Sequence, residues 1–520
     1  MNDVQKGLLD GILAAPDDDL PRRVYADWLE ADGQAARAEF VRLQLDHDAL
    51  PRWDVGRVHS RLRQRELLAE HDEAWRAALP EAEGVRWGRW GRGFVERVAF
   101  DDPSILAARG VELQREALFS HVMMRWPRLK QRRDLPAIPG VTALTLVGAT
   151  LSDTDLQWLG ESELLSTVRE LNLVESQLTA EALAMLLRSP HVRRLRALRL
   201  PGHNFANEGV AALVGADLPE LVDLDLGVPS GDDLGSGGRY EETMDAEAGG
   251  WLAAWPGLAR LHTLVLTGNQ LGLEGLSALL SSPHVVNVKT LSLRGTADYD
   301  YETDGGRPDV LVAFSRAAPG LALDEVDLSE CECTKVSTPI LVGSSALSSL
   351  KILHYDYTNG GPWKALLAAP WAPGLHVLSA NDCGDDGIKA IMAAQLPELH
   401  TLSMSSHYGW SQPSKFGKQL AKVEQRALVS LTMQDANPED DDLKAIGKAK
   451  TLPALRSLDL RAEEWGDMEV SEEATEAFVA SPVGAQLQSL MLGIEGVDRA
   501  PEPERDAFDV TEYRGTLHHL

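Results

Sequence analysis

Apolar side chains recur along residues 141–492 in one short pattern, L-x-x-L-x-L, repeated thirteen times. Clear copies are Val168-Leu171-Leu173, Leu195-Leu198-Leu200, Leu261-Leu264-Leu266, Val288-Leu291-Leu293 and Leu455-Leu458-Leu460. Counted from first positions at 141, 168, 195, 221, 261, 288, 323, 350, 375, 399, 428, 455 and 487, the steps centre on 27 residues. A fixed step of that length marks stacked structural repeats. Within each copy the alternation predicts a short strand, as in Ala197-Leu198-Arg199-Leu200. The fourth and sixth positions point inward, and the third, fifth and seventh point outward. Helix-like runs follow at residues 178–187, 209–214, 271–280 and 387–394. Several stop at a proline, as in Ser189-Pro190-His191-Val192 and Ser282-Pro283-His284-Val285, because proline cannot continue a helix. A strand, a turn and a helix in so few residues cannot bury both faces alone, so neighbouring copies must stack. The expected fold is an α/β solenoid, with a curved parallel β-sheet inside and helices outside.

The pattern resembles the leucine-rich repeat family, L-x-x-L-x-L-x-x-N/C-x-L, and the long unit with a full helix resembles its ribonuclease-inhibitor-like branch. The family's Asn/Cys position holds Asn269, Cys331 and Cys383 in three units; elsewhere Ala149, Ser176, His203, Thr296, Thr358 or Ala436 stands there. The resemblance is strong in the strand half and loose at this turn position, where the family's asparagines satisfy backbone groups.

Upstream the pattern changes. Residues 8–13 form an amphipathic turn or two, an acidic proline-bounded stop follows at 16–21, and helical runs are expected over 22–30, 38–44 and on toward Trp75. The stretch Ile12-Leu13-Ala14-x-Pro16-Asp17-Asp18-Asp19-x-Pro21-Arg22-x-Val24-Tyr25-Ala26-Asp27-Trp28-Leu29-Glu30, followed by Glu39-Phe40-Val41-Arg42-Leu43-Gln44, resembles the bacterial repeat-companion domain. That resemblance implies bacterial origin and a repeat array downstream, and brings no assigned chemistry. Residues 94–100 alternate as a β-strand, read as a cap that starts the sheet. A helix is expected over 111–122, and the broken pattern near 122–135 leaves a further unit open. The expected organisation is a small all-α domain at 1–80, a capping region at 81–140, the repeat array at 141–500 and a tail at 501–520.

Charge narrows the choice of partner. The chain's formal net charge of −29 is unevenly spread. Residues 1–140 hold 24 acids against 22 basic residues, and residues 141–520 hold 55 against 28. An acidic array forfeits the counterion release that drives nucleic-acid binding and instead favours basic partners. No apolar run approaches membrane-spanning length, and the first residues lack the basic-then-apolar layout of a secretory signal, so a cytoplasmic location is expected. Three cysteines, with Cys331 and Cys333 at C-x-C spacing, make neither a disulfide framework nor a zinc site.

The search for catalytic motifs is empty: no phosphate-binding loop, zinc-protease, hydrolase-elbow or dinucleotide signature is present. Histidines 262, 354, 376 and 400 fall in strand segments at unmatched positions. Carboxylate pairs Asp223/Asp225 and Glu325/Asp327 occupy positions three and five, on one sheet face, without the closed pocket that acid–base chemistry needs. No cofactor and no metal are expected. The candidate partner-binding residues are therefore Asp223, Asp225, Glu325, Asp327 and Asp356, joined by those of the insertions where the repeat step lengthens. The insertions lie at 227–250 (Tyr240), 297–308 (Asp298, Tyr299, Asp300 and Tyr301) and 406–416 (Tyr408 and Trp410). Alternating aromatic and acidic side chains suit a lysine- or arginine-rich protein through ion pairs and cation–π contacts. The expected function is a non-enzymatic interaction scaffold or adaptor binding a basic protein; the alternative is an inhibitor or immunity-type protein against a basic enzyme or toxin.

Overall fold

A computed structural model describes residues 3–125, 134–148, 151–174, 178–203, 205–228, 243–296, 309–358, 361–405, 416–421, 426–434, 438–461 and 470–492. The candidates Tyr240, Asp298, Tyr299, Asp300, Tyr301, Tyr408 and Trp410 lie outside them. The chain divides into two compact units. One comprises the described residues up to Met244 together with Trp255–Val265; the other comprises Asp245–Ala254 and the described residues from Leu266 onward.

The first unit begins with four helices, α1 (Asp3–Ala14), α2 (Leu20–Ala31), α3 (Ala35–Ala49) and α4 (Val55–Arg76). The first three share a core of Leu9, Ile12, Tyr25, Ala26, Leu29, Ala38, Val41 and Leu45, completed by Phe94 and Leu118. A two-stranded antiparallel hairpin follows, Trp90–Gly91 against Phe94–Val95. Strand Val85–Trp87 then runs antiparallel to Arg97–Phe100. From there every pairing in the unit is parallel and in register, through His121–Arg125, Ala143–Val147, Glu170–Val174, Ala197–Arg199, Asp223–Asp225 and Thr263–Val265. The second unit repeats the arrangement with Thr290–Ser292, Glu325–Asp327, Ile352–His354, Val377–Ala380, Thr401–Ser405, Ser430–Gln434, Ser457–Asp459 and Ser489–Met491. One strand per repeat, with helices between, is the α/β solenoid architecture that the pattern predicts.

The inward positions account for the stacking. Leu144, Leu171, Leu198, Leu224, Leu264, Leu291, Val326 and Leu378 all have no exposure to solvent. Full burial of such a side chain is worth roughly 1.5–3 kcal/mol relative to leaving it exposed. The Ser-Pro-His segments add a polar tie between successive helices. Ser189 Oγ accepts from the His191 N–H at 3.2 Å and donates to Gly160 O, one repeat earlier. Ser282 Oγ does the same with the His284 N–H and Ala253 O. The proline ends the helix, and the serine before it holds the backbone of the adjacent one.

Two expectations change. The strand anticipated over 94–100 breaks at Glu96 into Phe94–Val95 and Arg97–Phe100, which lie in different sheets. The helix anticipated over 111–122 is Pro103–Ala117, capped by Asp102, whose side chain accepts from the Ser104 N–H at 2.6 Å. It stops where Leu118 turns left-handed (φ 56°). Residues His121–Arg125 then form a parallel strand rather than a last helical turn. The open question near residue 122 is thereby answered, because this strand belongs to an extra repeat whose leucine positions hold Val122 and Met124.

Candidate functional site

In each unit the outward strand positions carry a ladder of polar side chains bonded from one repeat to the next. In the first unit it starts at His121, whose Nε2 lies 2.7 Å from Thr145 Oγ1. Asn172 Nδ2 donates to the same hydroxyl at 3.1 Å. Arg199 then donates to Asn172 Oδ1 and Glu170 Oε2, both at 3.4 Å, and forms an ion pair with Asp223. Burial, reinforced by Arg97, Arg89 and Arg199, holds the His121 imidazole neutral, well below its usual range. Asp225, the next carboxylate, is 2% exposed. Burial first, and the Asp223 charge with it, push its carboxyl up to about 6 against the pull of the Gly227 N–H and Arg199.

The ladder of the second unit is richer in acid. Thr267 Oγ1 and Ser292 Oγ lie 2.9 Å apart, and Ser292 Oγ donates to Asp327 Oδ2 at 3.2 Å. Thr290 Oγ1 donates to Glu325 Oε2 at 3.4 Å, while His354 Nε2 lies 3.3 Å from Glu325 Oε1. Ser379 Oγ donates to both oxygens of Asp356, and the Asn381 N–H to one of them at 2.6 Å. Ser403 Oγ continues the chain to Asn381 Oδ1. Burial pulls the His354 imidazole down, but the Glu325 hydrogen bond and the charges of Asp327, Glu325 and Asp356 outweigh it and raise it above its usual value. Burial also raises Asp356, opposed by His354 and by its own hydrogen bonds.

The five described candidates thus fall at two places. Asp223 and Asp225 share the Arg199 end of the first ladder; Glu325, Asp327 and Asp356 gather around His354 in the second. Most are less available than outward positions suggest, since Asp225, Glu325 and Asp327 are each under 7% exposed. The reason is geometric: in-register parallel strands set side chains of adjacent repeats against each other, and these carboxylates accept from their neighbours before any partner arrives. Sequence reasoning named His354 only as an isolated histidine and missed Arg199, Asn172 and Thr145. The available signal was register, because all four occupy position five.

At the turn position of the repeat, side chains of several kinds meet buried backbone carbonyls. Asn269 donates to Leu266 O and Thr267 O at 3.2 and 3.3 Å. Thr296 Oγ1 donates to Leu293 O at 2.7 Å, the Cys331 thiol to the same carbonyl at 3.0 Å, and His203 Nε2 lies 2.9 Å from Leu226 O. Burial pushes the Cys331 thiol up to about 12, so it stays protonated and able to donate.

Around Tyr25, Asp27 and Trp28 the helices pack as ordinary core and surface. Tyr25 stacks on Trp28 and Phe94, and Asp27 is exposed and paired with Arg42. Among the described residues no group of three or more His, Cys, Asp or Glu side chains is placed to hold a metal ion. Among them, too, no helix is long and apolar enough to cross a membrane.

One in-register parallel strand per L-x-x-L-x-L copy, with helices between, defines a repeat protein of the leucine-rich type. No family model matches the chain, and no curated protein sequence matches it. Similar solved structures include an internalin of Listeria monocytogenes, at 15% identity and a TM-score of 0.34, covering 71% of this chain and 85% of that one. Another is the Rad7 and Elc1 complex of yeast, at 14% identity and a TM-score of 0.36, covering 62% and 81%.

Proposed function

We propose that this chain is a non-enzymatic protein-interaction scaffold or adaptor of bacterial origin, acting in the cytoplasm on a partner with a basic surface. The observation that carries the reading is the acid excess of residues 141–520, 55 acidic against 28 basic residues, on an array with one short strand per repeat. Repeat arrays expose extended faces, and recognition there works through many spaced side chains rather than one deep pocket. The excess of carboxylates over residues 141–520 steers a basic protein toward the array. The insertions at 227–250, 297–308 and 406–416 supply the aromatic contacts that the ladders lack.

The test is capture by the full chain, immobilised, from a cell extract at low and at high salt. A specific partner retained at low salt should be released as salt rises and lost when Asp298, Tyr299, Asp300 and Tyr301 are replaced by Ala. Capture insensitive to salt and to those four replacements would overturn the proposed surface. A captured enzyme whose activity falls on binding would move the reading to the inhibitor class.

A further inference from the structure

We propose that the motif running from Pro16 to Gln44 is a receptor for an arginine-glycine-phenylalanine β-turn, and that its ligand in this protein is the chain's own Arg92-Gly93-Phe94. The proposed partner surface makes no use of that motif, and its residues converge on this turn. Arg92 donates through NH1 to Pro16 O at 2.7 Å and through Nε and NH2 to Asp19 Oδ1 at 3.2 and 2.5 Å. Arg22 braces the same loop, donating to Pro16 O at 2.8 Å and to Asp18 O at 3.2 Å. Both backbone groups of Gly93 are taken up: its N–H donates to Gln44 Oε1 at 2.7 Å, and its carbonyl accepts from Arg37 NH2 at 2.5 Å. Phe94 stacks on Tyr25 at a ring separation of 5.5 Å.

The backbone of the turn favours this reading over incidental contact. Strands Trp90–Gly91 and Phe94–Val95 are joined by two residues, and both have positive φ, 47° at Arg92 and 90° at Gly93. A two-residue hairpin of this kind favours Asn or Gly at its first position, because a side chain there is strained. Arginine is therefore held where glycine would be easier, and strain of this sort persists when surrounding contacts over-determine it. Gly93 is required twice, by its φ and by room: a Cβ there would lie 2.7 Å from Val41 Cγ2. Receptor and ligand both sit beside the first strands of the sheet, and Asp17 of the same loop pairs with Arg169, next to strand Glu170–Val174. Docking the turn thus fastens the helical segment to the start of the repeats, where a cap is needed.

The test is backbone hydrogen exchange on the full chain carrying Arg92→Gly, Asp19→Asn, both together, or Gln44→Leu. Arg92→Gly relieves the strained turn while removing the side chain that docks. Exchange of the amides in α1 to α3 should rise at least tenfold in Arg92→Gly and measurably in Asp19→Asn and Gln44→Leu. Strands Ala143–Val147 and Glu170–Val174 should stay within about twofold, and the double variant should exchange little faster than Arg92→Gly alone. Slower or unchanged exchange in Arg92→Gly would show that the arginine is merely tolerated. An equal rise in helices and strands, or fully additive effects, would equally overturn the receptor.

Discussion

His354 and Glu325 stand on adjacent strands, 29 residues apart in sequence, with Nε2 and Oε1 3.3 Å from each other and the glutamate 2% exposed. The pair places a titratable base inside a group of acids, which links the stability of the second unit to pH. The folded state raises the His354 pKa above its unfolded value near 6.5. Its stabilising contribution is then full below that value and lost as pH rises through the folded pKa. His354→Gln should therefore destabilise by up to about 2 kcal/mol near pH 5.5, the range for a hydrogen bond to a charged group. The difference should shrink toward alkaline pH. Urea unfolding at pH 5.5 and 8.5 measures it, and an equal difference at both values would contradict the assignment.

Asp225 carries the opposite burden. Its carboxyl, raised by burial to about 6, titrates near 4 when unfolded. The sign follows the raised case again: its contribution is full below the unfolded value and lost as pH climbs through about 6, where the folded chain must hold a desolvated charge. Asp225→Asn keeps an acceptor for the Gly227 N–H and cannot ionise. Relative to the parent, this variant should gain up to about 3 kcal/mol between pH 4 and 7, the scale set by a shift of about two units. Denaturant midpoints across that range report the gain, and a flat difference would count against it.

The turn position gives a prediction about backbone satisfaction. Asn269 has no solvent exposure and bonds two carbonyls of its own turn. Asn269→Ala removes both side-chain bonds to these carbonyls and should cost about 1–3 kcal/mol, whereas Thr296→Val, which leaves Leu293 O its bond from the Cys331 thiol, should cost about 1 kcal/mol. Equilibrium unfolding of the two variants ranks them. A larger loss for Thr296→Val would mean that the hydroxyl, and not the amide, holds this part of the array.

Much of the fold is legible in the chain because its signal is local and repeated. Leu198 or Leu264 needs only the alternation around it to be placed inside, and Pro190 needs only its own ring to end a helix. The extra strand at His121–Arg125 escaped because valine and methionine fill its leucine positions and the preceding helix pattern runs straight into it. The candidate site was half legible. Carboxylates at positions three and five could be put on one face, but not the partners that occupy them.

What the sequence determines by itself is the repeat: strand, turn, helix and inward leucine, each set by spacing within about thirty residues. The tertiary structure alone decides which outward side chains meet. Repeat lengths vary, so the side chain that meets Glu325 is found only once strands are in register: Ile352 stands opposite it, and His354, opposite Asp327, reaches it diagonally. The same holds for Arg92, whose strained turn has no explanation in its own segment. It acquires one when residues 73 and 76 positions earlier, Asp19 and Pro16, fold back onto it.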